Sequence, residues 1–253
     1  QSCIALFSRL AQFQSPEEAV GLLAEVRQSA HQTGTTSSIG SLHLVVARLE
    51  AIRGQFVSAR RHLEIGRRLL AASPQAVHAS VHLVDAGLEA YSGNLVRAKG
   101  SASEGLSIAQ LHRLQPLQAG CQTNLAYVLL LSGRPKLATE LLQAAIALCR
   151  ELPVIRFSAL DALAQSALFQ REASRCGDLV DQCGQARKSH SLPARSWYDL
   201  AHQITRCSYH ETLGDWDTIV DIVDDASQEL DRRQYRAVQT SLLCAKARAQ
   251  AHR

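Results

Sequence analysis

The chain has 253 residues, of which 46% are apolar, 20% charged and only 5% aromatic, with a formal charge of +4. That apolar share can fill a core and excludes a disordered chain; the 27 basic and 23 acidic side chains are spread along the whole length, without the basic stripe of a nucleic-acid footprint. Ala and Leu dominate and runs of β-branched residues are missing, so the composition points to an all-α protein.

The predicted helices fall into pairs. In chain order they are expected at 16–31, 41–52, 55–72, 78–92, 94–112, 117–132, 135–151, 154–169, 172–189, 195–213, 215–231 and 234–252. The segment 34–41, GTTSSIGS, reads as a turn between pairs. Pro74, Pro116, Pro153 and Pro193 each follow a second helix and stop it before the next pair begins.

A repeat fixes this alternation. Helix breakers follow apolar stretches at Gly54, Gly93 and Gly133, 39 and 40 residues apart, and the grid extends to Gln14, Arg171 and Gly214 at intervals of 40, 38 and 43. Positions that were not used to set the grid then agree. Two residues after each turn stand Pro16, Phe56, Leu95, Pro135, Ala173 and Trp216. Five after it stand Ala19, Ala59, Ala98, Ala138, Cys176 and Ile219, and twelve after it Val26, Gly66, Gly105, Ala145, Cys183 and Ala226. Seven before it stand Ala47, Ala86, Ala126, Ala164 and Cys207. Two helices approach to about 8–10 Å only where side chains are small, so these positions mark the crossings within hairpins.

The turn glycines, the Asn124-Leu125-Ala126 run before Gly133 and the alanines after each turn resemble the tetratricopeptide repeat. The resemblance implies a right-handed α-solenoid of antiparallel helix pairs, about six of them, covering 1–253 as one repeat domain. The period is near 40, where the family's usual period is 34, with the extra residues in longer second helices. That variant is similar to the long repeats in sensor regions of bacterial transcription regulators of the maltose-activator and LuxR type. The chain opens at Gln1 and contains no methionine, so it is read as a piece of a larger protein, and any methionines missing from the sequence would leave some spacings a residue or two short.

The seven cysteines include no CxxC pair and mostly lie among apolar residues, as reduced core residues of a cytoplasmic protein would. No apolar run approaches the roughly 18 residues that span a bilayer, and the N-terminus has no signal-peptide pattern. No GxxxxGK[ST], GxSxG, HExxH or GxGxxG occurs, so common phosphate-binding and hydrolytic devices lack their parts and the chain is read as a non-enzyme without cofactor or metal. His78, His82 and Asp85 share a helix face, but no further ligand has a fixed spacing. Cys207 lies near His202, His210 and Glu211, yet occupies a helix-crossing position, where a thiol is buried and inert. Cys176 and Cys183 are seven apart, about 10 Å along a helix, too far for a disulfide. Arg60, Arg61, Arg67 and Arg68 read as a solvated face of one helix.

Function is therefore sought in the concave groove, which first helices line in a solenoid. Family geometry implies that residues six before each turn project into it, giving Arg48, Gly87, Tyr127, Gln165 and Ser208. Residues ten before it give Leu44, Leu83, Thr123, Asp161 and Ile204, and Asn124 joins them. The candidate binding set is Arg48, Thr123, Asn124, Tyr127, Asp161, Gln165 and Ser208. Its mixture of one cation, one anion, a phenol, amides and hydroxyls suits a protein or peptide partner. A small-molecule effector and self-association into a homo-oligomer are the further partners considered. Nucleic acid and membrane are not expected to bind this segment. The family's Lys, Asn and Arg clamp for a terminal carboxylate is matched only at Asn124.

Overall fold

The computed structural model describes residues 36–149, 151–189, 196–233 and 235–252, together with residue 28. Among the described residues there are eleven helices and no strand. They are α1 (Thr36–Ile52), α2 (Phe56–Leu69), α3 (Gln75–Tyr91), α4 (Leu95–Leu111), α5 (Gln115–Leu131), α6 (Pro135–Leu148), α7 (Pro153–Phe169), α8 (Ala173–Ser189), α9 (Trp197–Leu213), α10 (Trp216–Arg233) and α11 (Arg236–His252). All six expected first helices are present as the odd-numbered ones. The second helix expected at 16–31 lies outside the described residues, apart from residue 28.

Each hairpin turns on a residue in the left-handed region. Gly54, Gly93, Gly133 and Gly214 have φ between 69° and 83°, and Arg171 takes the same conformation at φ 63°. The grid therefore located the described turns, including the one that carries a side chain in a region that disfavours it. Proline in the first turn starts α5, α6 and α7 without losing a hydrogen bond. Asn94 and Ser196 cap α4 and α9 by accepting from the backbone N–H of Arg97 and Asp199, both at 3.4 Å.

One expected turn is a helix. The segment 34–41 is helical from Thr36 onward, as the start of α1. Two glycines explain why: a Cβ on Gly40 would lie 2.7 Å from Leu70 Cγ, and one on Gly66 would lie 3.0 Å from the Gly40 carbonyl oxygen. Close approach of α1 to α2 and the chain after it outweighs the weak helix propensity of Thr, Ser and Gly.

The small residues of the repeat lie where helices cross. Ala47, Ala86, Ala126, Ala164 and Cys207 on first helices are buried, as are Ala59, Ala98, Ala138, Cys176 and Ile219 on second helices. Gly105 has room for nothing larger, since a Cβ there would meet Cys121 Sγ at 2.9 Å and His82 Cβ at 3.0 Å. Enlarging such a residue forces neighbours off their rotamers and costs about 1–3 kcal/mol.

Each helix packs on its successor, and α1, α3, α5, α7, α9 and α11 also pack side by side. Second helices make their main contacts with first helices rather than with one another. First helices thus form the inner layer of a curved stack and second helices the outer. Adjacent pairs are also tied by charge: Arg60 on α2 reaches Glu89 on α3 at 3.2 and 3.3 Å, where Glu89 is 1% exposed. Arg67 lies 3.5 Å from buried Asp85, and Arg67 and Arg68 both pair with Glu64. Three of the four arginines expected on a solvated face are thus engaged with carboxylates.

Candidate functional site

The inner layer encloses a groove of about 630 Å³. Arg48, Thr123, Asn124, Tyr127, Asp161, Gln165 and Ser208 all line it, from α1, α5, α7 and α9. Gly87 and Ile204 line it as well. Leu44 does not: it is fully buried in the core with Ala47 and Leu63, because its face of α1 turns toward Gly66.

Most of the polar side chains in the wall are occupied. Asp161 is held by His202 Nδ1 at 2.6 Å and accepts from Gln165 Nε2 at 3.0 Å. The same amide nitrogen donates to Thr205 Oγ1 at 3.0 Å, so the network spans α7 and α9. The Phe157 ring meets the His202 ring edge-on at 5.4 Å. Asn124 Nδ2 donates to the Leu83 carbonyl at 3.1 Å, stitching α5 to α3, and Thr123 Oγ1 donates to the Ala119 carbonyl at 2.9 Å. These residues both brace neighbouring repeats and face the groove.

Arg48 donates from Nη2 to the Tyr198 hydroxyl across the groove, and its guanidinium lies 5.9 Å from the Tyr198 ring centroid. Its pKa is raised, first by Tyr198, against the effect of burial. Tyr91 meets Trp197 edge-on at 6.0 Å, and Trp197 meets Tyr235 at 5.3 Å. Burial raises the Tyr91 pKa, with Arg48 opposing. The Tyr127 phenol is pushed up to about 12, chiefly by burial and then by Tyr91 and Asp161. Tyr127 is therefore a neutral donor at physiological pH.

Apart from Tyr127, the aromatic residues are the part of the site that sequence reasoning missed. Tyr91, Tyr127, Phe157, Phe169, Trp197 and Tyr198 all line the groove, half of the aromatics in a chain with five Phe, five Tyr and two Trp. A signal existed for two of them, since Tyr91 and Phe169 both stand two residues before a turn. Phe157 lies near the start of α7 and Trp197 and Tyr198 in the first turn of α9, at offsets from the turns that the repeat did not mark.

The other candidate constellations do not assemble. Asp85 accepts from Ser101 Oγ at 2.6 Å, burial lowers the His82 pKa, and no metal-binding group of three or more ligand residues exists among the described residues. Cys207 is 1% exposed and its thiol is pushed up to about 11 by burial, while His210 pairs with Asp215 at 3.0 Å. Among the described residues no helix is long and apolar enough to cross a membrane.

No family model and no curated protein sequence matches this chain. Solved structures do. A Rap protein complexed with Competence and Sporulation Factor aligns with a TM-score of 0.67 at 14% identity, over 91% of this chain and 67% of that one. BtubC from P. vanneervenii aligns at 0.59 and 14% identity, over 90% and 91% of the two chains. A putative kinesin light chain of Podosopora anserina with nearly identical TPR-like repeats aligns at 0.52 and 20% identity, over 81% and 95%. At these identities the likeness concerns architecture: this chain has the fold of a TPR-like helical solenoid.

Proposed function

We propose that this chain is a non-catalytic scaffold that holds a protein or peptide segment in its concave groove. The observation that carries this reading is the groove itself. Its 630 Å³ falls within the range of about 300–1,000 Å³ typical of ligand sites, and its aromatic side chains offer large contact area at low entropic cost. The candidate binding residues are Arg48, Thr123, Asn124, Tyr127, Asp161, Gln165 and Ser208. The similar Rap protein was solved with Competence and Sporulation Factor, which lends support without identifying a partner here.

A second reading is favoured by the Arg48–Tyr198 contact. It joins distant repeats across the lumen, so a small effector or peptide that displaces it changes how those repeats sit. This is the behaviour expected of a sensing region in a larger bacterial regulator, the relationship suggested by the 40-residue period.

The test is to pan a displayed random-peptide library on the wild-type chain, Tyr127→Ala and Gly87→Leu. A Cβ on Gly87 meets only Asn124 Nδ2, at 3.8 Å, so the leucine projects into open groove. Recovery is expected to fall about tenfold or more in both variants. Equal recovery removes the groove assignment.

A further inference from the structure

The geometry points to a second, smaller subsite in the same lumen, which seats one branched aliphatic side chain of an uncharged peptide segment. It rests on the peptide reading above and assigns the anchor that such a peptide carries.

Beside the main groove lies a chamber of about 100 Å³. Arg48, Thr123, Asn124, Ser158 and Tyr198 line both spaces, so the bridge between Arg48 and Tyr198 forms part of the boundary between them. A chain lying in the groove reaches the chamber past that bridge. The rest of the chamber wall is hydrocarbon: Leu83, Pro116, Leu117, Val154 and Ile155, with Gly120.

Three of the polar residues of this wall each spend a donor on a backbone carbonyl. Thr123 donates to the Ala119 carbonyl, Asn124 to the Leu83 carbonyl at 3.1 Å and Ser158 to the Val154 carbonyl at 3.0 Å. Arg48, the one charged residue in the lining, is engaged by the hydroxyl and ring of Tyr198. A basic side chain entering here meets Arg48 as a like charge. An acidic one can pair with Arg48 only by losing its water among aliphatic carbons, which is costly for a charge. The aliphatic wall thus favours an uncharged apolar occupant.

Volume then selects the shape. The space is about two-thirds of the roughly 150 Å³ apolar cavity that accepts benzene, so it suits Val, Leu or Ile better than an aromatic ring. Gly120 keeps the chamber open, since a Cβ there would lie 3.3 Å from both Leu83 methyls.

The experiment pans a random heptapeptide library on the full chain and on Gly120→Val, with thermal melting as the check on folding. Peptides enriched on the wild type are expected to share Val, Leu or Ile at one fixed position and to lack charge beside it. Replacing that residue by Ala in a synthetic lead should weaken binding about tenfold. Gly120→Val should weaken the parent lead similarly and the Ala-substituted lead hardly at all, because both changes remove the same contact. Leu83→Ala, which enlarges the chamber, should shift the fixed position toward Phe. An acidic, basic or aromatic residue fixed on the wild type overturns the subsite, as do additive losses in the cycle. Such outcomes leave peptide binding standing, whereas enrichment of no peptide on the wild type overturns both readings.

Discussion

The Arg48 guanidinium donates to the Tyr198 hydroxyl across 150 residues of sequence, joining the inner helix α1 to the inner helix α9. Tyr198→Phe keeps the ring beneath the guanidinium and removes only that hydrogen bond. The variant should lose about 1 kcal/mol, read as a lower urea midpoint at unchanged slope. A midpoint equal to the wild type's would mean that the bridge adds nothing to stability.

Arg171 holds a left-handed turn conformation that its neighbours in the repeat hold as glycine. An L-residue pays about 1–2 kcal/mol there, partly offset by the extra unfolded-state freedom of glycine. Arg171→Gly should therefore raise Tm by about 2–3 °C. Gly93→Ala is the converse control: no atom lies within 4 Å of the added Cβ, so any fall in Tm reports backbone strain alone.

Asp215 sets a pH dependence with a definite sign. Its pKa is lowered from about 3.8, first by hydrogen bonds from the Thr218 side chain and backbone N–H, then by His210. A depressed carboxylate adds stability that is present above the unfolded-state value and lost as pH falls through the lower folded value. The Tm advantage of wild type over Asp215→Asn should begin to shrink as pH falls past about 3.8 and vanish only below the lower folded value. An advantage that persists in acid would show that the charge is not its source.

Thiol reactivity should single out one site among the described cysteines. Burial pushes Cys121 up to about 12 and Cys176 and Cys207 up to about 11, and also raises Cys149 and Cys183. Cys244 is exposed. Because the thiolate is the nucleophile, Cys121, Cys176 and Cys207 should alkylate at least about a hundredfold more slowly at pH 8, and Cys149 and Cys183 more slowly than Cys244 as well. Peptide mapping after a short iodoacetamide pulse checks this, and urea should equalise the rates.

The alternation of helices, the turns and the crossing residues were legible in the sequence because they are local. A left-handed turn residue and a small side chain at a fixed offset are demanded by the geometry of one hairpin, and each hairpin repeats the demand. The segment 34–41 was misread for the complementary reason: the Gly40–Gly66 approach is a contact between helices, and composition alone presents those residues as a turn.

The candidate site divides along the same line. Arg48, Tyr127, Asp161 and Ser208 were expected on the inner face from the tetratricopeptide resemblance, read through the register of single helices, and they line the groove. The tertiary structure alone decided that Arg48 meets Tyr198, that Tyr91 meets Trp197, and that Asp161 and Gln165 are held by His202 and Thr205. It also turned Leu44 into the core. Such pairings depend on the small rotation between one helix pair and the next, summed over several repeats, and no local spacing records that sum.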